Sequence, residues 1–385
     1  LTYQSLPKKE DIKDLKCFIG LSLFGVFIYG LGQKFWNFPV ISTMNEEFSK
    51  GILLYLDKWT RINSTFAGHY DLAAWLVMVL ALIPSAISAG KKKLPKIFGV
   101  ILGVFGLYLL ILTASRVSYI SYLIGITTSL ILLRKFKWIG PILLISLFFG
   151  FTSKELNARL RSTLKSVPAV DQKLARVTEI WETESESISN QIKRIKSKRE
   201  KTTPTPTPEP EPTEPAQKAI EGEEPVPTEK EKKVKIDKEV RTWPTREEAA
   251  AAAARSSNIR FEVEWPRAGK AFAKNPLTGT GLSSLGLATD NEYLRLLAET
   301  GIIGFGSFML IIFHLLLTFW KAVKSKLKNW QYAAGAIGLM LGILANGLFI
   351  DVFAASKVAF YFWMLMGIGY RLIKSETLST KSETN

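Results

Sequence analysis

Residues 289–304 read T-D-N-E-Y-L-R-L-L-A-E-T-G-I-I-G, the point at which a long polar segment ends and an apolar run begins. The charged first turns carry Asp290, Asn291, Glu292, Arg295 and Glu299 and lead into hydrophobic sequence that reaches Trp320. Charges next to lipid-depth sequence must meet water or a wet cavity, so this tip belongs at a membrane surface with the run beyond it in the bilayer.

Working outward, apolar runs occur at 15–32, 72–89, 97–113, 117–133, 138–151, 302–320, 332–353 and 358–373. Most approach the roughly 20 residues that cross about 30 Å of hydrocarbon as a helix, 138–151 being the shortest. These runs predict an all-α integral membrane protein, a polytopic bundle of about eight spans. The expected organisation is an N-terminal membrane region at 1–151 with five spans, an extracytoplasmic loop at 152–288, a C-terminal membrane region at 289–374 with three spans, and a cytoplasmic tail at 375–385.

A formal charge of +16 would suggest nucleic acid in a soluble chain, but here the charge is distributed by topology. Basic groups at Lys91, Lys92, Lys93 and Lys96, at Arg134, Lys135 and Lys137, and at Lys321, Lys324, Lys326 and Lys328 follow the second, fourth and sixth runs. Lys8, Lys9, Lys13 and Lys16 precede the first run, and Arg371 and Lys374 follow the eighth. All fall on one side, which the positive-inside rule makes cytoplasmic, so membrane lipids are expected partners and nucleic acid is not. The single cysteine, Cys17, excludes an intrachain disulfide. The chain opens on Leu with no cleavable signal peptide evident, and earlier spans are expected to precede it.

Within the outer loop, Leu156, Leu160 and Leu164, then Leu174, Val177, Trp181, Ile188, Ile192 and Ile195, follow helical spacing and predict amphipathic helices. A Pro/Glu/Lys-rich insert at 201–240 is expected to be disordered. Thr245 with Glu248 forms a capping-box pattern ahead of six consecutive alanines. A second amphipathic element covers 260–274, followed by the turn N-P-L-T-G-T-G at 275–281. Thr289 with Glu292 repeats the capping box, and the helix start it predicts offers free N–H groups as a seat for an anion.

The predicted outer face collects Arg61, His69, Asp71, Arg116, Arg260, Arg267, Asp290, Glu292, Arg295, Glu299, Asp351 and Lys357. Cations with a few carboxylates at one membrane mouth suit a membrane-bound phosphate compound. Arginine's fork clamps phosphate oxygens, and a carboxylate can take a proton from an attacking hydroxyl. Each residue also has a plainer reading. Arg116, in a turn with almost no polar sequence to retreat into, could be a snorkelling or salt-bridged residue; a guanidinium at mid-membrane costs about 2.5–3.5 kcal/mol. Arg61, Arg267 and Lys357 could anchor headgroups, Glu299 with Arg295 could be an i,i+4 pair, and Asp290, Asp71 and Asp351 could be helix-end groups. His314 reads as a helix-packing residue. D-x-D and D-D patterns are missing from the outer face, so neither a metal nor a cofactor is expected.

At these residues the sequence resembles the O-antigen ligase and O-antigen polymerase family of bacterial integral membrane glycosyltransferases. Four pieces carry the resemblance: 61–73, S-R-V-S at 115–118, 260–265 leading to N-P-L-T-G-T-G, and 289–304. It implies a glycosyltransferase C type fold that works on a glycan held by undecaprenyl pyrophosphate outside the plasma membrane, with a glycan or lipid acceptor. It also implies that Arg116 and Arg260 hold the donor pyrophosphate and that Arg61 matches the arginine of the first piece. Ligases commonly have His-Asn where this chain has Asp290 and Asn291, a departure that leaves the polymerase and wall-glycan branches open. The expected site is therefore Asp290 as base with Glu292 second, Arg116 in catalysis and binding, and Arg61, His69, Arg260, Asn291 and Arg295 around the substrate. Two rival readings are a transporter or flippase of lipid-linked glycans, which would need charged or broken helices at the midplane, and a surface anchor presenting the long loop.

Overall fold

Each of the eight apolar runs coincides with a helix in the computed structural model, although the run at 332–353 outlasts its helix by six residues; the structure describes residues 11–41, 55–56, 61–90, 92–152, 259–286 and 288–383. These residues belong to one compact unit, Leu1–Val167 with Pro244–Asn385. Its helices are α1 (Asp11–Phe35), α2 (His69–Ala89), α3 (Lys93–Leu112), α4 (Arg116–Leu132), α5 (Ile139–Thr152), α6 (Trp265–Lys274), α7 (Glu292–Lys324), α8 (Trp330–Gly347) and α9 (Ser356–Glu383). A 3-10 turn, Phe136–Trp138, precedes α5, and a π-helical turn, Arg260–Glu264, precedes α6. No strand occurs among the described residues, only an isolated bridge between Pro39 and Tyr55. The helices expected at 156–195, the 201–240 insert and the alanine-rich helix after Thr245 lie outside the described residues.

Four helical segments are long and apolar enough to cross a membrane: Cys17–Phe35 within α1, and the whole of α2, α3 and α7. Helix α4 and the stretch Phe136–Gly150 are apolar but shorter. The structure therefore supports four spans by length and composition, where the sequence predicted about eight. Packing accounts for part of the difference. Helix α8 sits in the core, built against α4 and α2, and needs small residues there more than greasy ones. A Cβ on Gly125 would lie 2.9 Å from the Gly338 carbonyl oxygen, and one on Gly342 would lie 3.1 Å from that of Ser121. Ser129 adds a hydrogen bond from its hydroxyl to the Ala81 carbonyl at 2.8 Å.

Burial separates inside from outside. In α2, 72% of the apolar window is buried, with Trp75 wedged between Phe66 and Tyr361. In α7 only 17% is buried, and Leu310, Phe313 and Trp320 stand exposed. An apolar surface of that extent belongs against lipid.

Helix α7 is broken at Gly301, whose φ of 65° and ψ of −171° lie in a region open essentially to glycine alone. The 275–281 turn caps both sides of the break. Thr280 and Gly281 donate their N–H groups to the carbonyls of Ala298 and Glu299 at 2.9 and 3.0 Å. Ile302 and Ile303 donate theirs to the carbonyls of Pro276 and Leu277 at 2.8 and 3.2 Å. Breaking a helix at a membrane exposes backbone polar groups, and here the loop satisfies four of them. The same closeness requires Gly279, because a Cβ there would strike the Glu299 backbone.

Gly301→Ala forces an alanine into that conformation and drives its Cβ into the Leu277 carbonyl. The expected loss is about 2–3 kcal/mol or more, read as a drop of several degrees in the thermal midpoint of detergent-purified protein. Gly306→Ala, with nothing near the added methyl, should leave the midpoint unchanged.

Candidate functional site

The approach to α7 turns sharply at Asp290, whose φ is 50°, a left-handed value that aspartate adopts more readily than most residues. That turn moves the helix start. Asn291, not Thr289, is the N-cap, its side-chain oxygen accepting the Leu294 N–H at 3.0 Å. The expected capping box is therefore absent. Glu292 reaches away from it, accepting the Phe353 N–H at 2.9 Å, and is only 3% exposed.

The anticipated anion seat exists but is filled from within the chain. Asp351, in the turn between α8 and α9, accepts the N–H groups of Thr289 and Asn291 at 2.8 and 3.0 Å and the Arg295 guanidinium at 3.1 Å. Arg295 also pairs with Glu299 at 3.4 Å, the i,i+4 contact expected from the sequence. Asn291, Glu292 and Arg295 thus have protein partners that hold the corner in shape.

Asp290 itself points to Arg260. The Nε and Nη2 of that guanidinium both reach Asp290 Oδ2, at 2.8 and 2.7 Å, and Arg260 is 7% exposed. Arg260 opens the π-helical turn, a distortion that often accompanies function. Arg116 is the first residue of α4, and the serines on either side of it fix that end. Ser115 accepts the Ser118 N–H, and the Ser118 hydroxyl reaches Asn346 on α8 at 3.2 Å. Both serines are thereby used in packing, while Arg116 lies within the field of the Arg260 and Arg61 charges and of the Tyr70 phenol.

Arg61 approaches His69 at 2.6 Å, and because a guanidinium only donates, the His69 Nε2 accepts and its proton resides on Nδ1. Lys357 holds the same loop by donating to the Thr65 carbonyl at 2.6 Å rather than reaching for headgroups. Arg267 likewise donates to the Ala288 carbonyl at 2.8 Å. His314 pairs with Tyr370 on α9 at 3.3 Å, as a packing residue would.

Of the residues singled out in the sequence, the structure brings Arg61, His69, Arg116, Arg260 and Asp290 together and places Asn291, Glu292 and Arg295 in the scaffold beside them. Glu264 and Tyr70 join the cluster without having been anticipated. The usable signal for Glu264 was its spacing of four from Arg260, which puts both on one helical face. Burial pushes the Glu264 carboxyl up, and the neighbouring Asp290 pushes it further, against the lowering pull of Arg260 and Arg267. Glu264 Oε2, Arg267 Nε and Thr289 Oγ1 are buried without a hydrogen-bond partner among the described residues. Three such atoms at one corner are costly unless satisfied and are suited to a polar ligand. No group of three or more His, Cys, Asp or Glu that could hold a metal occurs among the described residues.

A family model described as O-antigen ligase matches residues 101–309, just over half of the chain. No curated protein and no solved structure matches it.

Glu264 generates a prediction of defined sign. A carboxyl whose folded pKa is raised binds its proton more tightly in the folded state. Stability therefore falls as pH rises from the ordinary glutamate range through the raised value. Glu264→Gln should raise the thermal midpoint relative to the native chain at pH 8, and the gap should close at pH 5. An identical pH dependence in both proteins would show that Glu264 carries no such strain.

Proposed function

The chain belongs to the O-antigen ligase family, and from that premise we propose a membrane glycosyltransferase acting on an undecaprenyl-pyrophosphate-linked glycan. It joins the glycan to an acceptor hydroxyl on the outer side of a bacterial plasma membrane. In this reading all eight apolar helices cross the bilayer, the basic loops face the cytoplasm, and 152–288 is extracytoplasmic. The observation that carries the proposal is the meeting of Arg61, Arg116 and Arg260 beside Asp290, four residues from distant parts of the chain.

Arg116 and Arg61 take the pyrophosphate oxygens and neutralise the charge that grows as the bond between the anomeric carbon and the pyrophosphate oxygen breaks. With such a leaving group the reaction needs charge neutralisation more than a strong acid, and arginines supply the positive charge. Arg260 has two roles. Its Nε and Nη2 orient Asp290, while its Nη1 edge remains for phosphate. The acceptor oxygen attacks the anomeric carbon from the opposite side, its proton passes to Asp290 Oδ1, and the lipid pyrophosphate leaves with inversion.

Aspartate at 290, where the resemblance would place histidine, supports the polymerase or wall-glycan branch. The break at Gly301 brings to mind the broken helices of carriers, but the charges gather at one mouth rather than at the midplane.

Arg116→Ala should lower transfer by about 10²–10³-fold and cause lipid-linked donor to accumulate on the outer leaflet. Donor retained on the cytoplasmic leaflet would instead assign the protein to flipping. Asp290→Asn should preserve donor binding while slowing turnover by about 10²–10⁴-fold, and product of unchanged length and yield would remove Asp290 from the mechanism.

A further inference from the structure

A cavity of about 440 Å³ lies between α2, α3, α4 and α5 at the end of the bundle away from the arginine cluster. Helices α2 and α4 begin at that cluster, and the cavity is lined by their far portions, down to Ser88 and on to Lys135 beyond the end of α4. Its walls are almost wholly apolar. Two of the hydroxyls within it are engaged: Tyr122 bonds to Ser146 at 3.0 Å, and Ser146 bonds to the Ile142 carbonyl at 2.7 Å.

Two charges stand apart from this apolar wall. Lys96 and Lys135 line the cavity, and no carboxylate does. Lys96 sits in the first turn of α3, where the positive end of the helix dipole opposes a cation and a nearby anion would be favoured. Along the side, Val100, Val104 and Trp138 are both lining and exposed, so the cavity opens laterally toward lipid.

We infer that this groove is a binding site for one anionic glycerophospholipid of the leaflet opposite the arginine cluster, its headgroup phosphate between Lys96 and Lys135 and an acyl chain along the apolar wall. A basic end on a hydrocarbon slot matches the two halves of such a molecule, and basic pockets between membrane helices take anionic headgroups for this reason. The donor's tail fits less well, because its pyrophosphate belongs at the arginine cluster.

The test uses delipidated full-chain protein in detergent, titrated with phosphatidylglycerol or with phosphatidylcholine of the same chains and read by native mass spectrometry. Phosphatidylglycerol should bind more tightly. Lys96→Gln with Lys135→Gln should weaken it about thirtyfold while leaving phosphatidylcholine unaffected. Val104→Trp, which narrows the slot and keeps both lysines, should weaken both lipids. Arg116→Ala should change neither, which separates this site from the proposed donor site. Equal binding of the two lipids, or a preference that survives loss of both lysines, would overturn the inference. Displacement of phosphatidylglycerol by an equal concentration of polyprenyl phosphate would also overturn it, by giving the groove to the donor's tail.

Discussion

Guanidinium groups repel one another, and holding Arg116 within the field of both Arg61 and Arg260 is the constraint to which the rest of the site answers. The fold offsets this repulsion locally: Asp290 neutralises Arg260, and the His69 ring accepts from Arg61. A set of cations gathered at one place is suited to an anion, which is what a pyrophosphate site requires. The unpartnered polar atoms of Glu264, Arg267 and Thr289 at the same corner add to that demand for a polar ligand.

Repelling charges stay together only on a stiff frame, and four devices provide it. The carboxylate of Asp351 clamps the turn into α7, and Glu292 latches the same turn to the backbone at Phe353. Ser115 and Ser118 lock the start of α4 to α8 through Asn346, so Arg116 projects from a fixed end. Behind both, the glycine seam of α8 lets its backbone approach α4 closely, where packing forces between helices are strongest. The break at Gly301 serves the same purpose from the other side. By ending the first part of α7 and capping it with the 275–281 turn, it keeps the charged turns separate from the lipid-facing turns below.

Acidic groups near the site divide by partner rather than by chemistry. Asp290, Glu292, Glu299 and Asp351 lie within one short region, yet only Asp290 pairs with a member of the arginine cluster. The other three serve backbone N–H groups or Arg295. A carboxylate that accepts two backbone N–H groups, as Asp351 does, stabilises a conformation, whereas one held by a single arginine edge keeps an oxygen for another task.

Much of the fold was legible in the order of residues. Lipid selects long apolar runs and loops sort by charge, so the helices, the membrane class and the polar corner at 289–304 could all be read without coordinates. The residues of the arginine cluster were legible too, Arg116 as a cation with almost no polar sequence to retreat into, and Arg61 and Arg260 through the resemblance. The pairing of those residues was not. Thr289 and Glu292 have the spacing of a capping box, but the left-handed turn at Asp290 and the carboxylate of Asp351, some sixty residues away, assign their bonds elsewhere. Local pattern determined which segments become helices and which charges lie at the membrane mouth, because hydrophobicity and charge act through nearest surroundings. Tertiary structure alone decided which carboxylate meets which arginine, because hydrogen bonds form at about 3 Å between groups that only folding brings together.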